Sequence, residues 1–215
     1  MITLGLSGNR YSGKKTTVDV FKRIGIPVFD ADIILKFILN HNHELLSDVR
    51  KKIGSDFFTN HQLDFRRLKK SNFDKVLDVV EEDIFNAFYK FCNKYEQKNA
   101  IYVIFYSSIL FEREWDKKLD LSINIFSPEG DRLKRARYQT NEGLLNIRDR
   151  MKTEMDPLDK NKLADYIINN HNNGEVIGLI GSQPAKIPNL VKQVNQIDQK
   201  IIDEYLYKES LMLCV

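Results

Sequence analysis

The sequence predicts an α/β protein of three layers, a parallel sheet with helices on both faces. Three observations carry this. Short apolar, β-rich runs alternate along the chain with amphipathic stretches of helical period. The first such run, Ile2 to Ser7, leads through a glycine-rich turn straight into a helical pattern. And Ala100-Ile101-Tyr102-Val103-Ile104-Phe105-Tyr106 is apolar without alternation, as a central strand covered on both faces must be.

The opening turn is the most informative stretch. Gly8-x-x-x-x-Gly13-Lys14 follows the strand, and Val18, Val20, Phe21 and Ile24 then mark the apolar face of a helix. Strand, glycine loop and helix in that order are what a phosphate-binding loop requires. Glycines let successive N–H groups converge, the helix start adds partial positive charge, and Lys14 reaches the outer phosphates. The plain alternative is a glycine turn that binds nothing. The motif normally closes with a Ser or Thr for magnesium. Lys15 stands there instead, with Thr16 one step later.

Next, Gly25-Ile26-Pro27-Val28-Phe29 reads as a second strand running into Asp30-Ala31-Asp32. Ligands of open parallel sheets gather at the carboxyl ends of the strands. This edge and the glycine loop are therefore expected at one crevice. One aspartate can cap the helix beginning at Ile33 while the other serves a substrate.

From Ile33 to Lys98 the period is mostly helical. Ile33, Ile34, Phe37 and Ile38 make one face, and Leu45, Leu46, Val49 and Ile53 another. Gly54 breaks the second helix, and Asn60-His61-Gln62 reads as a turn. Val76, Leu77, Val80, Ile84, Ala87, Phe88 and Phe91 then face one side of a long helix. Asp64, Arg66 and Arg67 are either acceptor contacts or part of a solvated basic face.

After the central strand, Glu112 reads either as the holder of a metal-bound water or substrate hydroxyl, or as a dipole-favoured acid at a helix start. Leu119 to Phe126 is the next strand, and Ser127-Pro128-Glu129 opens a helix bearing Arg132, Lys134, Arg135 and Arg137. With Arg148, Arg150 and Lys152, these residues suit a cationic lid over bound phosphates. Only Tyr138 interleaves them, so a base-stacking nucleic-acid surface is not expected. Tyr166 to Ile168 is the last core strand. Residues 174–181 suit a small hairpin or edge strand, and Leu190 to Leu206 a final amphipathic helix.

Composition narrows the classes. A chain of 215 residues, 42% hydrophobic, supports one α/β domain with an inserted helical piece. A net charge of +3 does not imply nucleic acid, and the two cysteines form no disulfide framework or metal spacing. No apolar run is long enough to span a bilayer. The expectation is a cytoplasmic protein with a small-molecule substrate and neither nucleic acid nor membrane as partner.

Gly5, Leu6, Gly8, Ser12, Gly13, Lys14 and Thr16, then Gly25, Pro27, Val28, Asp30, Ala31 and Asp32, stand where dephospho-coenzyme A kinases carry their loop and Asp-Ala-Asp motifs. Leu110-Phe111-Glu112, the segment Arg150 to Met155, and Ala164-Asp165-Tyr166-Ile167-Ile168-Asn169-Asn170 are similar to further motifs of that family. Departures are Asn9, Tyr11 and Lys15 in the loop, Glu82-Asp83 in place of a His-Pro pair, and Glu154 in place of Gln. The resemblance implies a P-loop NTPase core (1–32, 99–128 and 163–215), a helical acceptor-binding region (33–98) and a basic lid (129–162). It further implies ATP and Mg²⁺ as cofactors and the ribose 3′-hydroxyl of dephospho-coenzyme A as acceptor. Gly8, Asn9, Arg10, Tyr11, Ser12, Gly13, Lys14, Lys15 and Thr16 would hold the phosphates, with Arg135 from the lid and Asn170 near the adenine. Asp32 would take the acceptor proton, with Lys14 and Arg150 beside the transferred group. No side chain is assigned as a direct metal ligand; Asp30, Asp32 or Glu112 through waters, or Thr16, are the options for magnesium. The alternatives are a nucleoside or deoxynucleoside monophosphate kinase, and a homologue that binds nucleotide without turnover.

Overall fold

The computed structural model describes residues 1–65, 67–140, 143–171, 179–180, 183–184 and 187–213. In chain order the elements begin with β1 (Ile2–Gly8), α1 (Lys14–Arg23), β2 (Val28–Asp30), α2 (Ala31–His41) and α3 (His43–Ile53). There follow β3 (Phe58–Thr59), β4 (Gln62–Leu63), α4 (Lys70–Glu96), β5 (Tyr102–Tyr106) and β6 (Leu121–Phe126). The chain closes with α5 (Glu129–Gln139), α6 (Leu144–Lys152), α7 (Pro157–Leu163), β7 (Tyr166–Asn169), β8 (Leu179–Ile180), β9 (Gln183–Pro184) and α8 (Ile187–Leu213). Two compact units result: Met1–Phe29 with Tyr95–Val215, and Asp30–Lys94.

The first unit is built on a five-stranded sheet in the order β2-β5-β1-β6-β7, with the β5-β1, β1-β6 and β6-β7 pairs parallel. This is the three-layer α/β fold expected. Leu4 and Leu6 of β1 and Val103, Ile104 and Phe105 of β5 are buried on both faces. Val18 and Phe21 of α1 share one core with Leu190, Val194 and Ile201 of α8. Three carboxylates fix the sheet and its helices. Asp120 accepts from the Thr3 N–H and hydroxyl, both at 2.7 Å. Asp165 does the same for Ser122 at 2.7 and 2.8 Å, locking the entry to β7 against β6. Asp198 of α8 accepts from the buried Tyr102 hydroxyl at 2.6 Å.

The second unit is mostly helical. Asp30 Oδ1 accepts from the Ile33 N–H at 3.0 Å and caps α2. Asn42 caps α3 through Leu45 N–H at 3.1 Å. The turn expected at Asn60-His61-Gln62 is the two-residue loop of a β3–β4 hairpin. Asn60 (φ 50°) and His61 (φ 64°) both take left-handed backbone, the form whose twist matches paired strands. Val76, Leu77, Val80, Ile84, Phe85 and Phe88 form the buried stripe of α4. Arg66 lies outside the described residues, as do 174–178 and 181 of the hairpin expected over 174–181; β8 and β9 pair antiparallel.

Candidate active site

The loop between β1 and α1 is shaped by two glycines and by side chains arriving from far along the chain. A Cβ on Gly8 would lie 2.7 Å from both the Ile125 carbonyl and Ser12 Oγ. Gly13 is the N-cap of α1 in left-handed backbone (φ 99°), and a Cβ there would run into the side-chain amide of Asn170. Glycine is required at both for reasons of space, and at Gly13 for backbone conformation as well.

Ser12 N–H donates to the Asn9 carbonyl (3.1 Å), closing a turn inside the loop. The Ser12 carbonyl is drawn outward by Asn170 Nδ2 (2.7 Å) and Arg135 Nη1 (3.3 Å). Carbonyl and N–H of a trans peptide point in opposite directions, so this turns the Gly13 N–H to the other side, into the hollow of the loop. The first helical N–H to bond back is that of Thr17, to Gly13 at 3.0 Å. Those of the residues before it stand at the positive mouth of α1. Lys14 arches over the loop, its Nζ donating to the Asn9 carbonyl at 2.9 Å. Such a hollow of N–H groups with a lysine across it is an anion cradle.

Arg135 has a different place from the one expected. Rather than reaching over the loop from a lid, it is 2% exposed and supports the loop from beneath. Its Nη1 donates to the carbonyls of Tyr11 (3.0 Å) and Ser12 and to Ser127 Oγ (2.9 Å), and its Nη2 to the Asn170 carbonyl (2.6 Å). Those donors hold loop and strand-end carbonyls and the Ser127 hydroxyl, while Nε is buried with no hydrogen-bond partner. Burial pushes the guanidinium pKa down, opposed by the charge of Asp131. Asn170, expected near the adenine, is likewise a loop support through its amide on Ser12.

The basic helix α5 splits by face. Arg132 and Arg135, three residues apart, are buried, while Lys134 and Arg137 are exposed. Arg150 is exposed on α6. Tyr11 takes left-handed backbone (φ 61°), at a cost of roughly 1–2 kcal/mol. Its ring packs against a cluster of Ala136, Ile147 and Met151. Lys15, at the position expected for a hydroxyl, carries its side chain to solvent, while Thr16 is buried.

Glu112 does not open a helix, as one of the two readings had it. Its Oε1 pairs with the fully buried Lys160 Nζ at 2.7 Å, its Oε2 is buried with no hydrogen-bond partner, and residues 108–114 are turns rather than a helix start. Asp32 lies in the first turn of α2, two residues after the Asp30 cap. Asp64 and Arg67, the further acceptor candidates among the described residues, pair with each other at 3.6 Å.

Sequence reasoning passed over the part played by Glu154, noted only as a departure from a motif. Its carboxylate accepts from the Arg10 N–H (2.9 and 3.2 Å) and the Asn9 amide (3.2 Å), and pairs with Arg10 Nε and Arg132 Nη1, both at 3.4 Å. Asn9 Nδ2 also donates to the Met155 carbonyl at 2.8 Å. The signal available was a carboxylate inside a strongly basic segment. Around the loop, Asn9 Oδ1, Ser12 Oγ, Arg132 Nε and Arg135 Nε are buried with no hydrogen-bond partner. Buried polar atoms in that state at a hollow rimmed with donors mark a place for a polar ligand. Among the described residues no three His, Cys, Asp or Glu side chains gather as a metal cage. A magnesium ion arriving on a nucleotide needs none, since phosphate oxygens and water supply most of its ligands.

A dephospho-CoA kinase from Clostridium perfringens is 29% identical over 185 residues, covering 80% of this chain and 90% of that protein. A solved Thermus thermophilus structure superposes with a TM-score of 0.71 at 18% identity, covering 93% of this chain and 96% of the other. The structure of a dephospho-CoA kinase from Campylobacter jejuni gives 0.60 at 19% identity, with 93% and 96% covered. The dephospho-CoA kinase family model matches residues 2–175, and with the cradle between β1 and α1 in place the chain belongs to that family.

Proposed function

We propose that this chain transfers the γ-phosphoryl group of ATP to the ribose 3′-hydroxyl of dephospho-coenzyme A. Membership of the family supports the reaction class, and the outward-pinned Ser12 carbonyl, which faces the Gly13 N–H into the loop, is the observation that carries it. The β- and γ-phosphates rest on the N–H groups of residues 13–16, and Lys14 leaves the Asn9 carbonyl to neutralise their outer oxygens. Magnesium would arrive on the nucleotide and would supply charge neutralisation for the phosphates, with most of its ligands coming from phosphate and water. Asp32 accepts the proton of the attacking hydroxyl, and Arg150 offsets charge on the group in flight. Arg135 and Asn170 act one layer back, holding the loop in shape. Lys15 is exposed, and the buried Thr16, in the first turn of α1, is the hydroxyl that touches an inner phosphate in this reading.

The experiment is a coupled assay of ADP release with dephospho-coenzyme A, AMP, dAMP and dTMP as acceptors, with and without Mg²⁺. Dephospho-coenzyme A alone is expected to support turnover, giving a product phosphorylated at the 3′ position. Lys14→Ala and Asp32→Asn are each expected to lose about 10²-fold or more in kcat. Turnover with a nucleoside monophosphate instead, or full activity of Lys14→Ala, overturns the assignment.

A further inference from the structure

The connection after α6 places a carboxylate against the phosphate loop, and no step of the transfer uses it. Glu154 takes up the Arg10 N–H, the Asn9 amide and two guanidinium groups, those of Arg10 and Arg132. Its side chain is 14% exposed, and that of Arg132 only 6%. Burial pushes the Arg132 guanidinium pKa down, with Glu154 foremost among the charges opposing it. Arg132 Nε is buried with no partner. A buried cation thus sits beside the loop with one direction of hydrogen bonding unfilled and its charge answered from within the chain.

From this we infer that Glu154 is a positioning residue that sets how tightly the loop holds a polyphosphate. Its carboxylate fixes Asn9 and Arg10 in place. The same negative charge occupies the cations that would otherwise answer the phosphates. The two effects oppose one another. Hydrogen bonding to Asn9 and Arg10 favours a formed loop, while the fixed charge repels the ligand. The inference rests on the loop being a polyphosphate site.

Glu154→Gln separates the effects, because a neutral amide of the same shape keeps an oxygen for the Arg10 N–H and removes the charge. A unit charge about 7 Å from another in a water-like dielectric changes a binding constant about threefold. Calorimetric titration with MgATP is therefore expected to show binding at least about threefold tighter in Glu154→Gln than in the parent. The gap should narrow as salt is raised. Stability moves the other way, with a lower Tm, because the variant strands the Arg132 charge. Glu154→Ala, which loses charge and hydrogen bonds together, is expected to bind more weakly than Glu154→Gln.

A purely structural role predicts that affinity and Tm fall together in both variants. Should Glu154→Gln fold poorly, the same comparison is made in an Arg132→Met background, where no buried cation is stranded; Glu154→Gln should again tighten MgATP. Equal or weaker binding by Glu154→Gln in a parent that binds MgATP overturns this inference alone. A parent that binds no MgATP overturns the kinase reading, and this inference with it.

Discussion

At the scale of single residues, the loop depends on hydrogen bonds that reach it from outside. Arg135 Nη1 and Nη2 donate to two loop carbonyls, one hydroxyl and one strand-end carbonyl, which demands the rigid fork of a guanidinium. Arg135→Lys keeps the charge but has no fork. Hydrogen bonds from charged groups contribute about 1.5–3 kcal/mol each. Loss of even one should lower stability by that order in urea unfolding and weaken MgATP binding about tenfold. Asn170→Ala, which frees the Ser12 carbonyl, should weaken binding in the same direction with less effect on stability. An Arg135→Lys variant with parental affinity would mean that the loop holds its own shape.

Among the elements, the helices start where their chemistry says they should. Asp30, Asn42 and Asp156 each accept an N–H of the first turn. Asn42 is the cleanest to test, since it lies outside the proposed site. Asn42→Ala should cost about 1 kcal/mol in urea unfolding and leave kcat unchanged. The Asp30 start was legible in the sequence, because a cap is a local matter of residue type and spacing; Asn42 and Asp156 were not singled out. β1, β5 and β6 were legible too: the unbroken apolar run of β5 follows from burial on both faces, while β6 interleaves its apolar residues with the buried Ser122 and Asn124. The β3–β4 hairpin was legible only as a turn. Its strands are two residues each, too short to show a period, and its left-handed pair is Asn60-His61 in place of the usual glycine-bearing dipeptide.

Over the whole molecule, α8 is tied to the sheet through a group that titrates. Burial, helped by the hydrogen bond and charge of Asp198, raises the Tyr102 hydroxyl pKa far above its ordinary value. In the folded chain Tyr102 therefore stays neutral at pH values where the unfolded chain has lost its proton. The stability it contributes is fully present below about pH 10 and declines as pH rises above that. Urea unfolding between pH 8 and 11 should show the parent falling more steeply with pH than Tyr102→Phe. Parallel slopes would remove Tyr102 as the cause.

At this scale too lies the limit of what could be read ahead. The loop motif spans seven residues and announces itself, and the family motifs of Asp32 and Asn170 were plain. The destinations of Arg135, Glu112 and Glu154 were not. Each is a charged residue in a polar segment, where surface and interior look alike. Only the meeting of α5 and the α6–α7 connection with the loop tells Arg132 and Arg135 from Arg137.

The loop's partners stand 123, 144 and 158 residues away from it in sequence, in Arg135, Glu154 and Asn170. A nascent chain emerging from a ribosome makes its glycine turn almost at once, yet cannot hold it until those three have cleared the exit tunnel. Under the proposed function, nucleotide capture is thus a late event of synthesis, coming when β7 joins the sheet.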